Sequence, residues 1–293
     1  MTARFGRVIT AMVTPFNEDG SLNADEAQRL ARHLVDHGSE GLVVAGSTGE
    51  GATLTDDEKR TLFRAVKDAV GGDAKVIAGT GTYSTAHSVE LTREAEKAGV
   101  DAALVVTPYY NRPPQDALLE HFRTVADASN LPVLLYDIPS RSAIKIEVDT
   151  IVRAAEHPNI VGIKDAGSDI SASTLTAALV PADFEIYSGN DPETLALQAI
   201  GAVGVISVQS HVMGEQLLEQ FTAFERGDIA RAREIQFLQR RTQAALLTSN
   251  PIPIKAAVRL LGFNVGAPRP PLRAANADEE NKVREALSEL GAL

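Results

Sequence analysis

Ile160-Val161-Gly162-Ile163-Lys164-Asp165 is the stretch that decides the fold. Four residues without a polar side chain run straight into a lysine and an aspartate. Apolar and polar residues do not alternate, which is the pattern of a parallel strand covered on both faces rather than an antiparallel strand with one wet face. Runs of the same kind recur at Val8–Val13, Gly41–Ala45, Val76–Gly79, Ala102–Val106, Val133–Tyr136, Phe184–Tyr187 and Val203–Val208. Amphipathic segments such as Ala24–Asp36, Asp56–Ala69, Thr85–Lys97 and Gln115–Ala128 separate them, each long enough for a helix that crosses back over the sheet. Eight strand–helix units imply an α/β fold, the (β/α)8 or TIM barrel. An open doubly wound sheet is the rival, and it needs a topological switch point and usually fewer strands.

Beyond the eighth unit three more helical stretches lie near Asp228–Leu247, Ile254–Leu261 and Glu279–Leu290, with Pro251 and Pro253 punctuating the first two. The expected organisation is a barrel over 1–226 followed by a C-terminal helical extension over 227–293. A length of 293 residues suits one barrel with added helices. Hydrophobic residues at 44% and charged residues at 23% describe a globular chain with a sizeable core.

Composition also excludes partners and chemistries. Lys plus Arg total 28 against 39 Asp plus Glu, a net charge of -11, which repels nucleic acid and anionic membrane and leaves small-molecule chemistry. The absence of cysteine rules out a disulfide, a thiolate nucleophile and a Cys-ligated metal. The first residues, MTARFGRVITAMVTPF, lack the apolar run of a signal peptide, and no later stretch is long and apolar enough to span a bilayer. The expectation is a soluble cytoplasmic enzyme.

In a barrel of this kind the active site lies at the C-terminal strand ends and the loops that follow them. Those ends read Gly46-Ser47-Thr48-Gly49-Glu50-Gly51, Thr107-Pro108-Tyr109-Tyr110-Asn111-Arg112, Tyr136-Asp137-Ile138-Pro139-Ser140-Arg141 and Gly162-Ile163-Lys164-Asp165. Lys164 closes an apolar run, where a charged ammonium is costly; a neutral amine there attacks a ketone carbon. A lysine paired with Asp165 at a strand end fits the position equally well. Tyr136 ends the neighbouring strand, and its phenol is either a proton carrier or a core aromatic with a satisfied hydroxyl. The Gly46–Gly51 loop has neither the Gly-Lys-Ser/Thr ending of a P-loop nor GxGxxG spacing, so nucleotide binding is not expected. Its small residues let backbone N–H groups approach a carboxylate, or simply make a tight turn. His33 and His37 have the spacing of two metal ligands but no accompanying HExxH glutamate, and read as solvated surface residues. Glu279-Glu280 reads as a solvated helix face.

Phe16, Gly46–Glu50, Thr107–Arg112, Tyr136–Arg141, Gly162–Asp165, Ser188-Gly189-Asn190-Asp191, Gly204–Val208 and Asn250–Lys255 appear in the order and spacing of the dihydrodipicolinate synthase family. Over nearly its whole length the chain resembles that family, within the pyruvate-dependent class I aldolases that also hold N-acetylneuraminate lyase and keto-deoxy sugar acid aldolases. The resemblance implies a Schiff base between Lys164 and pyruvate, whose enamine attacks L-aspartate 4-semialdehyde, with no metal or organic cofactor. It implies a proton relay of Tyr136, Ser47 and Tyr110, a pyruvate carboxylate site at the N–H groups around Ser47 and Thr48, and a second carboxylate held by Arg141. Gly189 and Ile206 would line the pocket through their backbones. A homotetramer of tight dimers is implied, with Tyr110 reaching into the partner's site. One departure is Ser47, where the family commonly has threonine; the hydroxyl is kept and the β-methyl that restrains it is lost.

In members regulated by L-lysine the effector site would fall on Gly51, Ala52, Asp56, Lys59, Tyr83, His87 and Tyr109. His87 stands where those members place a carboxylate, and Lys59 where they place a histidine. The resemblance therefore implies a site with poor affinity for a cationic ligand.

Overall fold

The computed structural model describes residues 3–293. Its strands are β1 Val8–Ala11, β2 Gly41–Val44, β3 Lys75–Gly79, β4 Ala102–Val106, β5 Val133–Asp137, β6 Ile160–Asp165, β7 Glu185–Ser188 and β8 Gly204–Ser207. They form a closed barrel in chain order, each strand parallel to its neighbours. Val8 lies opposite Val205 and Ile9 opposite Ile206, so β1 pairs with β8 and the open sheet is excluded.

The strand ends refine the sequence reading. β1 stops at Ala11, short of Val13, while β6 runs two residues further than the apolar pattern, because Tyr136 pairs with Lys164 and Asp137 with Asp165. Since successive strand side chains point to opposite faces, that pairing sends Lys164 and Asp165 in different directions. Ile9, Val43, Ile77, Leu134, Tyr136 and Ile206 belong to the cluster that fills the barrel interior. The outward residues pack under the helices in two further clusters.

Helices start where local chemistry fixes them. Asn23 caps Ala24–Asp36 by accepting from Glu26 N at 3.0 Å, and Thr55 with Glu58 forms a reciprocal capping box for Asp56–Val70. Glu58 also holds the Arg269 guanidinium, which with the Thr55 contacts keeps its carboxyl down at about 2. That pair ties the first half of the barrel to the C-terminal part, whose helices are Ile229–Leu246, Ile252–Leu260 and Ala277–Leu290.

One surface reading needs correction and another gains detail. His33 is half-buried, its ring 4.8 Å from that of Phe263 and 4.0 Å from His37, so it packs the extension onto the barrel rather than lying solvated. Glu279 caps Ala277–Leu290 together with Asn276 and pairs with Arg273, while Glu280 pairs with Arg259. Their work is structural.

His211 is buried with both ring nitrogens used: Nε2 accepts from Val13 N at 3.1 Å and Nδ1 donates to Val208 O at 2.7 Å. Burial pushes its pKa down to about 4, so the folded protein keeps the ring neutral while the unfolded chain protonates it near pH 6.5. The folded pKa is depressed; its stabilisation is complete above pH 6.5 and is lost as the pH falls towards 4. At ~1.4 kcal/mol per pKa unit this amounts to about 3 kcal/mol. Urea unfolding of wild type should therefore lose more stability between pH 7 and pH 5 than His211→Gln does. Parallel pH dependences would overturn the assignment.

Candidate active site

Lys164 is buried at the C-terminal mouth of the barrel, 5% exposed, with Nζ 4.2 Å from the centre of the Tyr136 ring. Asp165 turns the other way. Its carboxylate accepts from Gly167 N at 2.9 Å and from the Ser173 hydroxyl, on the outside of the barrel. Asp137, its partner across β5 and β6, also faces outward and accepts from Ile146 N at 3.0 Å; burial, with Asp165 alongside, raises its carboxyl to about 7. Lys164 makes no ion pair with any described residue. The strand-end ion pair is thereby excluded, and the amine stands beside a phenol.

The loop after β2 is built to present backbone. Ala45 and Glu50 both have positive φ, 54° and 55°. A Cβ on Gly51 would lie 2.1 Å from Ala45 O, so only glycine closes the turn. Gly51 N donates to Gly46 O at 3.0 Å and Glu50 N to Ser47 O at 3.2 Å. The amides of Ser47 and Thr48 donate to no described residue, leaving two N–H groups for an anion. Thr48 Oγ1 accepts from Asn250 Nδ2 at 2.9 Å.

Ser47, Tyr136, Arg141 and Asn250 share a cavity of ≈ 460 Å³ above the strand ends. Arg141 is carried by a helical turn, Pro139–Ser142, which the apolar pattern did not show; its Nη2 donates to Asn250 O at 3.1 Å. Gly189 N donates to Asp165 O at 2.7 Å, and a Cβ there would fall 3.0 Å from that oxygen, so β7 turns tightly past the end of β6. Ile206 is buried in the interior cluster with Tyr136. Of the residues singled out from the sequence, Ser47, Tyr136 and Arg141 line this cavity, Lys164 lies against Tyr136 and Thr48 against Asn250, while Gly189 and Ile206 stand at β7 and β8 outside its lining. Tyr110 is 91% exposed, on a backbone with φ 70°, and does not line its own chain's cavity.

Two contributors had no role assigned from sequence. Asn250 touches both Thr48 and Arg141 from the C-terminal part. Lys255 Nζ bonds Glu50 Oε1 at 2.7 Å, both side chains fully buried, and so holds the far end of the Gly46–Gly51 loop. Their sequence distances from the loop, 202 and 205 residues, leave no spacing signal to read. Among the described residues no group of three or more His, Asp or Glu side chains is placed to hold a metal ion.

The model of the dihydrodipicolinate synthetase family matches residues 4–290. The chain belongs to this family. A relative from Acidothermus cellulolyticus is 53% identical over 99% of this chain and 94% of its own length, and one from Moorella thermoacetica is 50% identical over 99% and 100%. Both are named 4-hydroxy-tetrahydrodipicolinate synthase, a lyase. The crystal structure of the family's enzyme from Cyanidioschyzon merolae, solved with lysine bound, superposes with a TM-score of 0.96 at 43% identity, covering 99% of each chain. The barrel and its helical extension are those of the family.

The positions that the resemblance gives to a lysine effector line the outer part of the same cavity. His87 Nε2 lies 3.0 Å from both carboxylate oxygens of Asp56, and Lys59 is 6% exposed with no ion-pair partner among the described residues. Burial lowers the pKa of Lys59.

Proposed function

We propose that this chain condenses pyruvate with L-aspartate 4-semialdehyde, the 4-hydroxy-tetrahydrodipicolinate synthase reaction of lysine and diaminopimelate biosynthesis, in the cytoplasm. The observation that carries this reading is the unpaired, buried Lys164 amine against Tyr136. Its nitrogen adds to the keto carbon of pyruvate and water leaves, giving an iminium; loss of a methyl proton gives the enamine, whose carbon attacks the aldehyde. Tyr136 and Ser47 pass the protons, both hydroxyls being free of other described partners. The Ser47 and Thr48 amides receive the pyruvate carboxylate. Arg141 grips the carboxylate of the aldehyde, since a guanidinium matches it in two parallel bonds and stays charged. No organic cofactor or metal enters the scheme. Residues 1–226 make the catalytic barrel, and residues 227–293 the extension that braces its mouth. Among the described residues no helix is long and apolar enough to cross a membrane.

A steady-state assay with pyruvate and a panel of aldehydes tests the assignment. Preference for aspartate semialdehyde supports it; preference for an uncharged sugar aldehyde would assign the Schiff base to a keto-deoxy sugar acid aldolase or N-acetylneuraminate lyase instead. Binding of pyruvate with no turnover would make the barrel a keto-acid-binding protein.

The exposed Tyr110 fits a homotetramer built of tight dimers, in which each protomer completes the proton relay of its partner. Tyr110→Phe should then lower turnover by roughly 10²–10⁴-fold with the fold intact. A fully active monomer in sedimentation would sink this arrangement.

L-lysine at millimolar concentration is expected to leave activity nearly unchanged. A cationic effector meets the Lys59 ammonium and loses the carboxylate that His87 replaces, while Asp56 is already engaged by His87. Inhibition appearing only in Lys59→His with His87→Glu supports the charge argument; inhibition of wild type refutes it.

A further inference from the structure

We propose that Asn250 is a positioning residue for the keto acid, acting through Thr48; this rests on the carboxylate site proposed above. Asn250 Nδ2 is a donor only, and it donates to Thr48 Oγ1 at 2.9 Å. With that lone pair committed, the hydroxyl keeps its own proton for another acceptor, and Thr48 makes no other side-chain hydrogen bond to a described residue. The free amides of Ser47 and Thr48 lie on the same turn. A carboxylate docked on those amides is thus offered the Thr48 O–H as a third donor, aimed before the substrate arrives.

Three further observations point the same way. Asn250 Oδ1 is buried with no partner, a cost of ~1–3 kcal/mol that an apolar or smaller residue would avoid. The amide is kept although only one of its ends is used. Ser249 has φ 56°, a left-handed backbone that sets the direction in which Asn250 enters the site. Lys255, five residues on, is locked to Glu50, two residues beyond Thr48, so the loop and the segment carrying Asn250 are held in one frame. Through its backbone carbonyl Asn250 also holds Arg141 Nη2 at 3.1 Å. That second contact survives any side-chain substitution and supplies an internal control.

The test compares Asn250→Ala, Asn250→Asp and Thr48→Val by steady-state kinetics in both substrates. Asn250→Ala should raise the pyruvate KM roughly tenfold with kcat changed less than about threefold, the size of one lost hydrogen bond at a charged group. Asn250→Asp should be worse than Ala, on the order of a hundredfold, because a carboxylate takes the Thr48 proton and repels the substrate's own carboxylate. A merely structural role ranks these two the other way, since Asp is the closer isostere. Asn250→Ala should add little once Thr48 is Val, and the KM for the aldehyde should not move in any of the Asn250 variants. Additive effects, an Asp variant milder than Ala, or an unchanged pyruvate KM in Asn250→Ala beside a raised one in Thr48→Val would each overturn the role of Asn250 alone. An unchanged pyruvate KM in Thr48→Val would overturn the carboxylate site and this inference with it. Should the Ala variant not fold, the Asp variant against wild type and Thr48→Val decides.

Discussion

Borohydride added to the protein together with pyruvate should leave one stable reduced adduct on Lys164, located by peptide mass mapping. Only an imine gives a secondary amine under these conditions, and Lys164 is the amine buried against Tyr136 at the end of β6. Lys164→Ala should show no adduct at that peptide and lose at least about three orders of magnitude in turnover, the scale on which removal of a covalent nucleophile acts. Asp165→Asn is the useful contrast. Its carboxylate is engaged by Gly167 and Ser173 on the other face of β6, so labelling of Lys164 should persist in that variant. Equal labelling of wild type and Lys164→Ala would remove the Schiff-base mechanism.

The largest effect on stability is expected at Lys255. Its ammonium and the Glu50 carboxylate are 1% and 2% exposed, Nζ sits 4.2 Å from the Phe16 ring, and Arg269 N donates to the second carboxylate oxygen at 2.8 Å. Burial outweighs the attraction of Glu50 and brings the Lys255 pKa down to about 8. The pair is therefore costly to desolvate, and its value lies in fixing where the loop sits rather than in net attraction. Lys255→Met leaves the Glu50 charge buried with only one donor, and should cost about 3–5 kcal/mol in urea unfolding. Adding Glu50→Gln should recover most of that loss in stability without restoring activity, because Ser47 and Thr48 would no longer be held. A Lys255→Met protein within about 1 kcal/mol of wild type would contradict this account.

Much of the fold was readable because buried parallel strands leave an unambiguous trace. Ala102–Val106 has the same ends in the pattern and in the barrel, and so do the helices Ala24–Asp36 and Thr85–Lys97. Strand ends that carry polar residues were cut short: β6 continues through Lys164 and Asp165 since backbone pairing does not depend on side-chain polarity. The site divides in a similar way. Lys164, Tyr136 and the glycine-rich loop could be picked out from the residues at strand ends. Whether Lys164 was paired to Asp165 could not, because the two alternate to opposite faces only if the strand continues through both, and the apolar run stops at Ile163. The roles of Arg141, Gly189, Ile206 and Tyr110 came from the family resemblance alone. Asn250 acts through a contact to Thr48 that crosses almost the whole chain, and no local pattern encodes a contact of that range. His33 was misread as solvated for a related reason, since a ring packed on Phe263 is defined by a neighbour rather than by composition.

The pairing of β1 with β8 has a temporal meaning. Val8 cannot meet Val205 until some two hundred residues have been synthesised, and Glu50 must wait a further fifty for Lys255. A growing polypeptide therefore carries two open parallel edges through most of its synthesis, the kind of exposed surface on which neighbouring nascent chains pair wrongly. The reactive loop is clamped only by residues some two hundred positions further along the chain. The order of translation thus keeps a half-made barrel from acquiring a finished active site.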